Sequence, residues 1–394
     1  MIESPSGITL SGLAASASGR AASEGAGAKI SAAETTIVAR RRRVLLITAR
    51  LIGSSGCGSD VPPGFATEDA PGVRVVPLVG MNGIEIARRY YFDEVAPGLA
   101  GVPHAAALLG PGSEVLGYDD EVSPDHDFGP RVQVFRPGRD TVGEFFTGIL
   151  GFDPGAGVTV ADWLLTPTQL LASLTRGAVF HDPAGSLARR RDALAWYPDD
   201  VWRYALAAGW LKVSQEEAFV ARTGSTGDDL GSRLLAARLT RELVRLAFLI
   251  SRCWAPYGKW LGRAFAELPI ATSVGPALAA ALAAPSWPDR EASIGTAMST
   301  LATATNELGL CPPLDPSPRQ FYNRDIRVLQ ADRYTIALSA EITDPTLRGV
   351  LERVGVRHGV IPRLPGTIDQ AVDSTDLLGD PARFRAAAPL LGLG

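Results

Sequence analysis

The sequence is poor in lysine, cysteine and histidine, and it lacks any long apolar run. Lysine occurs only at Lys29, Lys212 and Lys259, so nearly all of the positive charge is arginine. The formal net charge of −4 gives no reason to expect nucleic acid or an anionic membrane as a partner. No stretch reaches the roughly 18 apolar residues that a membrane-spanning helix needs. We therefore expect small-molecule partners, with no nucleic acid and no membrane.

The three cysteines are too far apart to act together. Cys57, Cys253 and Cys311 form neither a disulfide framework nor the closely spaced pairs of a zinc site. Such sparse cysteine fits a reducing compartment best, so we expect a cytoplasmic location.

Residues 1–79 differ in composition from the rest of the chain. Residues 3–33 are rich in Ser, Ala and Gly without a sustained apolar period, which is typical of disorder. We therefore expect a disordered leader over 1–79. The alternative is a targeting segment, built from the arginines at 40–43, the apolar residues at 44–47 and Cys57, although four apolar residues are few for a signal.

Apolar periodicity predicts an α+β fold, in which a small mixed-sheet domain is followed by helices. Strands are predicted at 105–109 and 131–135, after a short helix near 84–95. From about residue 161 the pattern becomes helical. The predicted helices lie at 199–222, 228–254, 275–284 and 293–308. The expected domains are 80–160, an all-helical region at 161–310 and a helical extension at 311–394.

A glycine-serine turn followed by two aspartates is the most informative motif. The sequence LGPGSE, at 109–114, follows a predicted strand, and SPDHD, at 123–127, comes before the next strand. Gly112 has no Cβ, so backbone amides there can approach a phosphate, and Ser113 adds a hydroxyl donor. On an extended strand Asp125 and Asp127 point to one face, and two carboxylates suit Mg²⁺. An isolated Asp-x-Asp pair is usually part of a solvated loop, but this order of elements favours a phosphate and metal site.

This segment resembles the signature of the nucleotidyltransferase superfamily. More closely, the chain is similar to domain-of-unknown-function family number 4037 over about residues 80–385. The matching stretches are 109–130, 178–210, 215–261, FYNRDIRVLQADRY and GTIDQAVDSTDLL. The resemblance implies a nucleotidyltransferase-like domain at 80–160 joined to a helical domain. It also implies that Gly112 and Ser113 hold a nucleoside triphosphate and that Asp125 and Asp127 ligate Mg²⁺.

The chain departs from the superfamily pattern after its second strand. Enzymes of the superfamily usually add a third carboxylate from a neighbouring strand, but this chain crosses from Phe135 to Thr141 in five residues. The available acids, Asp140 and Glu144, do not lie in a convincing strand. This shortened connection favours an alternative, a catalytically degenerate nucleotide-binding or interaction protein on the same scaffold.

Other candidates each have two interpretations. Glu217 lies on the apolar stripe of its predicted helix, either as the base for an acceptor hydroxyl or as a structural carboxylate paired with an arginine. Lys259 either reaches a β- or γ-phosphate or packs on Trp260. The arginines at 238, 241 and 245 form either a solvated helix face or the lining of a cleft.

The remaining polar residues are given structural interpretations. His126 is expected to face away from the two aspartates, and His181 is expected to lie in a turn. Glu216 is expected to pair with Lys212 one turn away. Asp369 and Asp373 are interpreted as a surface or capping pair.

The sequence thus predicts Mg²⁺-dependent transfer of a nucleoside monophosphate from an NTP, with ATP as the first choice, to a hydroxyl of an unidentified acceptor. The predicted residues are Asp125, Asp127 and Glu217 for catalysis, Asp125 and Asp127 for Mg²⁺, and Gly112, Ser113 and Lys259 for the nucleotide.

Overall fold

The fold is α+β, as predicted. The computed structural model describes residues 82–119, 130–138 and 141–393. Helices dominate these ranges, and their strands form small antiparallel sheets, so the predicted mixed sheet was wrong for the described residues. The predicted leader at 1–79, the residues Asp125, His126 and Asp127, and Asp140 lie outside the described residues.

The largest sheet has three strands in the order β2-β1-β3. These are β1 (Ala105–Leu108), β2 (Gln133–Phe135) and β3 (Ala178–His181), and both pairings are antiparallel. Every residue of the central strand β1 is buried. The predicted strands at 105–109 and 131–135 are therefore confirmed, with shorter bounds. The third strand comes from a range in which we expected helices.

Short helices surround this sheet. They are α1 (Gly83–Tyr90), continued by a π-helical turn at Tyr91–Val95 and a 3-10 turn at Ala96–Leu99, α2 (Ser113–Leu116) and α3 (Val142–Leu150). The N-terminus of α3 is a capping box, in which Thr141 Oγ1 accepts the N–H of Glu144 at 3.2 Å and Glu144 Oε2 accepts the N–H of Thr141 at 2.8 Å. Glu144, one of the two acids considered for a third carboxylate, therefore caps a helix.

Longer helices follow from residue 160. They are α4 (Val160–Leu165), α5 (Thr168–Thr175), α6 (Ser186–Ala193), α7 (Asp199–Glu216), α8 (Phe219–Gly224), α9 (Asp229–Ile250), α10 (Leu261–Ala266), α11 (Ala271–Ala283) and α12 (Trp287–Glu307). The single helix predicted at 199–222 was wrong, because the chain forms α7 and α8 with a break at Glu217. The helices predicted at 228–254, 275–284 and 293–308 are confirmed as α9, α11 and α12.

Helix α7 lies at the centre of the helical part and packs against α9. We predicted one apolar stripe on it, but its buried residues occur on all sides. Small residues make this possible. A Cβ on Gly209 would lie 2.7 Å from Leu246 Cδ2 of α9, so glycine lets the two helices approach closely.

The C-terminal part combines short helices with two-stranded sheets. Its elements are β4 (Arg319–Gln320), β5 (Arg327–Val328), α13 (Asp332–Ala340), α14 (Pro345–Val354), β6 (Val356–Arg357), β7 (Ile361–Pro362), α15 (Ile368–Ala371), α16 (Thr375–Leu378) and α17 (Pro381–Ala386). One apolar core cluster contains residues from Ala105 in β1 to Leu393 near the end, so sheet, helices and C-terminal part share it. None of the described helices is both long and apolar enough to span a membrane.

Candidate functional site

A cavity of about 450 Å³ runs along α9. We call it the α9 cavity. Its walls come from several separate parts of the chain besides α9 itself. These are the turn at 111–112 with Leu116 of α2, residues 168–173 of α5, Tyr197, the loop at 253–261 after α9, and the segment at 367–378. The cavity therefore joins the end of the sheet to the helical core.

One face of α9 contributes two arginines and two apolar side chains to the cavity. Arg241, Arg245, Phe248 and Leu249 line it, at the i, i+4, i+7 and i+8 spacing of one helix face. Because Arg241 and Leu249 are eight residues apart, this face extends about 12 Å along the helix axis. Arg241 and Arg245 thus lie nearer the middle of α9, and Phe248 and Leu249 separate them from the loop that follows the helix.

The glycine-serine turn also contributes to the wall of the cavity. Gly112 lines the cavity, whereas Ser113 begins α2 and is not among the lining residues. The turn is closed by Arg131, whose Nη2 donates to the main-chain oxygen of Pro111 at 2.6 Å and pairs with the carboxylate of Glu114. Both charged side chains of this pair are nearly buried. The turn is thus held by an ion pair that the motif alone does not reveal.

Gly112 is required for two structural reasons. Its φ of 143° is one that other residues rarely adopt, and a Cβ there would lie 2.5 Å from Arg131 Nη2 and from both Glu114 carboxylate oxygens. The predicted reason, close approach to a phosphate, remains compatible with both.

A Gly112→Ala variant is expected to unfold more easily by roughly 3 kcal/mol, because backbone strain and overpacking add. Gly117→Ala is the matched control, since Gly117 also has a positive φ, of 76°, but a Cβ there meets nothing within 4 Å. We expect it to cost only about 1–2 kcal/mol. Urea unfolding of both variants measures the difference, and equal losses would show that the Glu114–Arg131 pair does not constrain the turn.

Lys259 is exposed, and it packs on Trp260 as one of its two sequence interpretations expected, whereas its contact with a phosphate stays a prediction. Its Nζ is 4.8 Å from the centre of the Trp260 ring, and the residue also lines the cavity. The Trp260 ring is 5.5 Å from that of Tyr118, which follows α2. Lys259 is thus packed on an aromatic side chain next to the region of the turn.

The arginine stripe of α9 divides between solvent and cavity. Arg241 makes two hydrogen bonds to Asp373, of 2.7 and 3.0 Å, and Arg245 Nη1 donates to the main-chain oxygen of Asp369 at 2.6 Å. Arg238 is exposed and pairs with Glu216 at 2.9 Å. Arg238 therefore belongs to a solvated helix face, whereas Arg241 and Arg245 line the cavity.

The predicted pair of Glu216 with Lys212 was wrong. Lys212 Nζ instead lies 3.3 Å from Glu242 Oε1 and donates to the main-chain oxygen of Gln370 at 3.2 Å. Glu216 faces Arg238 on the neighbouring helix. Charged side chains one turn apart on a helix often pair, but α7 packs against α9, and side chains of α9 pair with Lys212 and Glu216 instead.

The interpretation of Asp369 and Asp373 as a surface or capping pair is confirmed in part, since the Asp373 side chain is exposed and Asp369 accepts an N–H at the first residue of α5. Asp369 Oδ2 accepts the N–H of Thr168 at 2.8 Å, and both Asp369 and Asp373 line the cavity. Burial raises the pKa of Asp369, whereas the hydrogen bonds from Arg241 lower the pKa of Asp373. Asp369 is therefore protonated more readily than Asp373, although both line one cavity.

Glu217 lies elsewhere. It is 7% exposed, and its two carboxylate oxygens accept the main-chain N–H groups of Leu329 at 2.8 Å and Ala331 at 3.0 Å. Burial raises its pKa to about 7, although these N–H groups partly offset the effect. It is not among the residues that line the α9 cavity. Its assignment as the acceptor base stays a prediction, but its contacts are those of a residue that holds the 329–331 segment.

The predicted metal ligands, Asp125 and Asp127, lie outside the described residues. Within the described ranges, no three His, Cys, Asp or Glu side chains are placed to hold a metal ion. The acids next to the turn are engaged, since Glu114 pairs with Arg131 and Asp119 Oδ2 accepts the N–H of Gly83 at 2.6 Å. The segment 120–129, with Asp125 and Asp127, joins Asp119 to Pro130. Both flanks of the predicted ligands are thus fixed close to the turn.

His181 and Asp182 also have structural contacts. Asp182 accepts three N–H groups at the start of α6, from Ser186, Leu187 and Ala188. His181 ends strand β3 rather than lying in a turn, and its ring stacks on His104 with centres 4.4 Å apart. Neither residue lines the α9 cavity.

The comparison with known families concerns this helical region. Residues 163–261 match the family model described as a domain of unknown function, DUF4037. The predicted resemblance to that family is confirmed over these residues. No curated protein and no solved structure matches the chain. The DUF4037 match includes α5, α9 and the loop up to Leu261, and it therefore supplies most of the lining of the α9 cavity.

The lining residues that sequence reasoning missed include Tyr197, Phe248 and Cys253. A signal existed for Phe248, because it lies seven residues after Arg241 on the same face of a strongly amphipathic helix. Tyr197 and Cys253 lie in connections between helices, where periodicity carries no information.

Proposed function

We propose that this protein transfers a nucleoside monophosphate from an NTP to a hydroxyl group of a small acceptor, in a Mg²⁺-dependent reaction, and that the α9 cavity binds the substrates. One observation carries the proposal. Gly112 and Lys259 were selected from distant parts of the sequence as phosphate-binding residues, and both line this cavity.

The described residues suit the binding part of this reaction. The turn at Gly112 exposes main chain to the cavity, and Lys259 offers a positive charge that Trp260 packs against. Phe248 and Leu249 provide an apolar wall, as is usual in sites that hold a base or a small organic molecule. Bound Mg²⁺, held by Asp125 and Asp127, would supply neutralisation of the charge on the transferring phosphoryl group.

The direct test is pyrophosphate release. The full chain is incubated with each of the four NTPs and Mg²⁺, with water alone and with a mixture of small alcohols as acceptors. We expect release from at least one NTP, dependent on Mg²⁺. Absence of both release and calorimetrically detected NTP binding would contradict the proposal.

Nucleotide binding without transfer is a second candidate. It is favoured by the engagement of Glu144 in a helix cap and of Glu217 with main-chain amides, because both acids were considered for catalytic roles. ATP binding measured by calorimetry, with no pyrophosphate release at any NTP, would select this alternative.

The location of the nucleotide can be tested by alkylation of Cys253. This thiol lines the cavity, and burial raises its pKa, so the reaction with N-ethylmaleimide is followed at pH 8.5. We expect ATP with Mg²⁺ to slow alkylation of Cys253 severalfold, as measured by peptide mass spectrometry. Cys311 is buried and does not line the cavity, so it serves as the internal control. An unchanged rate at Cys253 with saturating ATP would place the nucleotide elsewhere.

A further inference from the structure

Arg245 is a partly buried cation in the α9 cavity that lacks a carboxylate partner in the described part of the chain. Its Nη1 donates to the main-chain oxygen of Asp369 at 2.6 Å, and its charge lowers the pKa values of Asp369 and Asp373, but among the described residues no carboxylate lies within ion-pair distance of it. Arg241, one turn earlier, is instead neutralised by Asp373. The two neighbouring arginines of one cavity therefore differ in charge compensation.

An arginine in this position favours an anionic ligand. Removing a cation from water is costly unless an opposite charge or hydrogen-bond acceptors compensate it. Within the described residues, Nε and Nη2 of Arg245 have no hydrogen-bond partner, and this edge of a guanidinium matches the two oxygens of a carboxylate or phosphate. The carboxylate of Asp369, whose pKa the charge of Arg245 lowers, accepts the N–H of Thr168.

The position of Arg245 separates it from the predicted phosphate end of the cavity. Phe248 and Leu249 follow it on the same face of α9, and the loop with Lys259 begins only beyond the end of the helix. A ligand that reaches from Arg245 towards the loop with Lys259 must therefore pass the apolar wall of Phe248 and Leu249. Such a wall is suited to the hydrocarbon or aromatic body of a small molecule.

We propose that Arg245 forms a second anion subsite in the α9 cavity and that the acceptor is a small hydroxy compound with an apolar body and a carboxylate or phosphate group. The anionic group binds Arg245, and the apolar body lies against Phe248 and Leu249. The acceptor hydroxyl then points towards the loop with Lys259, where the phosphates of the NTP are expected. The identification of this ligand as the acceptor rests on the proposed function, whereas the anion subsite does not.

The test uses four probes with the same six-carbon chain: hexanoate, hexyl phosphate, 1-hexanol and hexylammonium. Their binding to the full chain is measured by ligand-observed NMR titration. We expect the tighter of the two anions to bind about tenfold or more tightly than 1-hexanol, because a charge-assisted contact is added. Hexylammonium is expected to bind most weakly. Comparison of the two anions distinguishes a carboxylate acceptor from a phosphorylated one.

Three variants localise the effect. Arg245→Met is expected to abolish the preference for the anions over 1-hexanol. Arg238→Met is the matched control, because Arg238 lies on the same helix but is exposed and pairs with Glu216. Lys259→Met tests the alternative that the anions bind at the predicted phosphate site instead. If Arg245→Met keeps the preference, if Lys259→Met alone abolishes it, or if wild-type protein binds 1-hexanol or hexylammonium as tightly as the anions, the subsite at Arg245 is disproved. The wild-type comparison holds even if Arg245→Met does not fold.

The result is separable from that of the proposed function. Anion preference that depends on Arg245, in a protein that releases no pyrophosphate, would support the subsite and refute the transferase. Pyrophosphate release without anion preference would refute the subsite alone.

Discussion

An Asp125→Asn variant is expected to lose pyrophosphate release by about 100-fold or more. The substitution keeps the shape of the side chain but removes one of the two carboxylates predicted to hold Mg²⁺, and Mg²⁺ depends on few protein carboxylates together with substrate phosphates. Metal neutralisation of a phosphoryl group contributes several kcal/mol to the transition state, which corresponds to a loss of this order. Asp127→Asn is expected to behave in the same way.

The control lies in the same segment. Glu121→Gln removes one negative charge between the same two flanks and should retain most of the activity. Binding of ATP without Mg²⁺ should be nearly unchanged in all three variants, because the phosphate contacts are assigned to Gly112 and Lys259. Full activity of Asp125→Asn would refute the metal assignment. Equal losses in Glu121→Gln and Asp125→Asn would point to the charge of the whole segment rather than to metal ligands.

Local patterns predicted the elements that have strong local signals. Helix α9 was expected at 228–254 and occupies Asp229–Ile250, because its apolar residues recur every three or four positions and Asp228 caps its first turn. Strand β1 was found because four apolar residues precede a turn. The break between α7 and α8 was missed, since Glu217 fits the apolar stripe of a continuous helix.

The cavity could not be predicted, because its walls meet through contacts distant in sequence. The hydrogen bond from the N–H of Thr168 to Asp369 joins residues 201 positions apart, and the pair of Arg241 with Asp373 joins residues 132 positions apart. No local period encodes such pairs. A local motif did find Gly112, but not the Glu114–Arg131 pair that constrains it.

The partner of Glu217 illustrates the same limit. The sequence indicated a buried acid that needs a partner, and an arginine was the expected one. The actual donors are main-chain N–H groups of Leu329 and Ala331. Every residue except proline carries such a donor, so no residue type can reveal it in advance. The partner became visible only once the folded chain placed that segment next to α7.

The stability of the protein is expected to depend on pH through Glu217. Its pKa is about 7 in the folded protein, against an ordinary value of 4.5, because of burial. The folded state therefore binds more protons than the unfolded state between these values, and the free energy of unfolding falls as pH rises through this range. The contribution is fully present below about pH 4.5 and is lost above about pH 7, a change on the order of 3 kcal/mol.

Glu217→Gln isolates this contribution, because glutamine has the same shape and does not titrate. Urea unfolding of wild type and variant is measured from pH 5 to pH 8. The free energy of unfolding of wild type should fall relative to that of the variant as pH rises. Glu291→Gln is the matched control: burial also raises the pKa of Glu291, but this residue is less buried and accepts one main-chain N–H, from Arg327 at 2.9 Å, so a smaller shift of the same sign is expected. A pH-independent difference for Glu217→Gln would contradict the raised pKa. A large loss of turnover in Glu217→Gln, with ATP binding and unfolding unchanged, would instead support Glu217 as the base that deprotonates the acceptor hydroxyl.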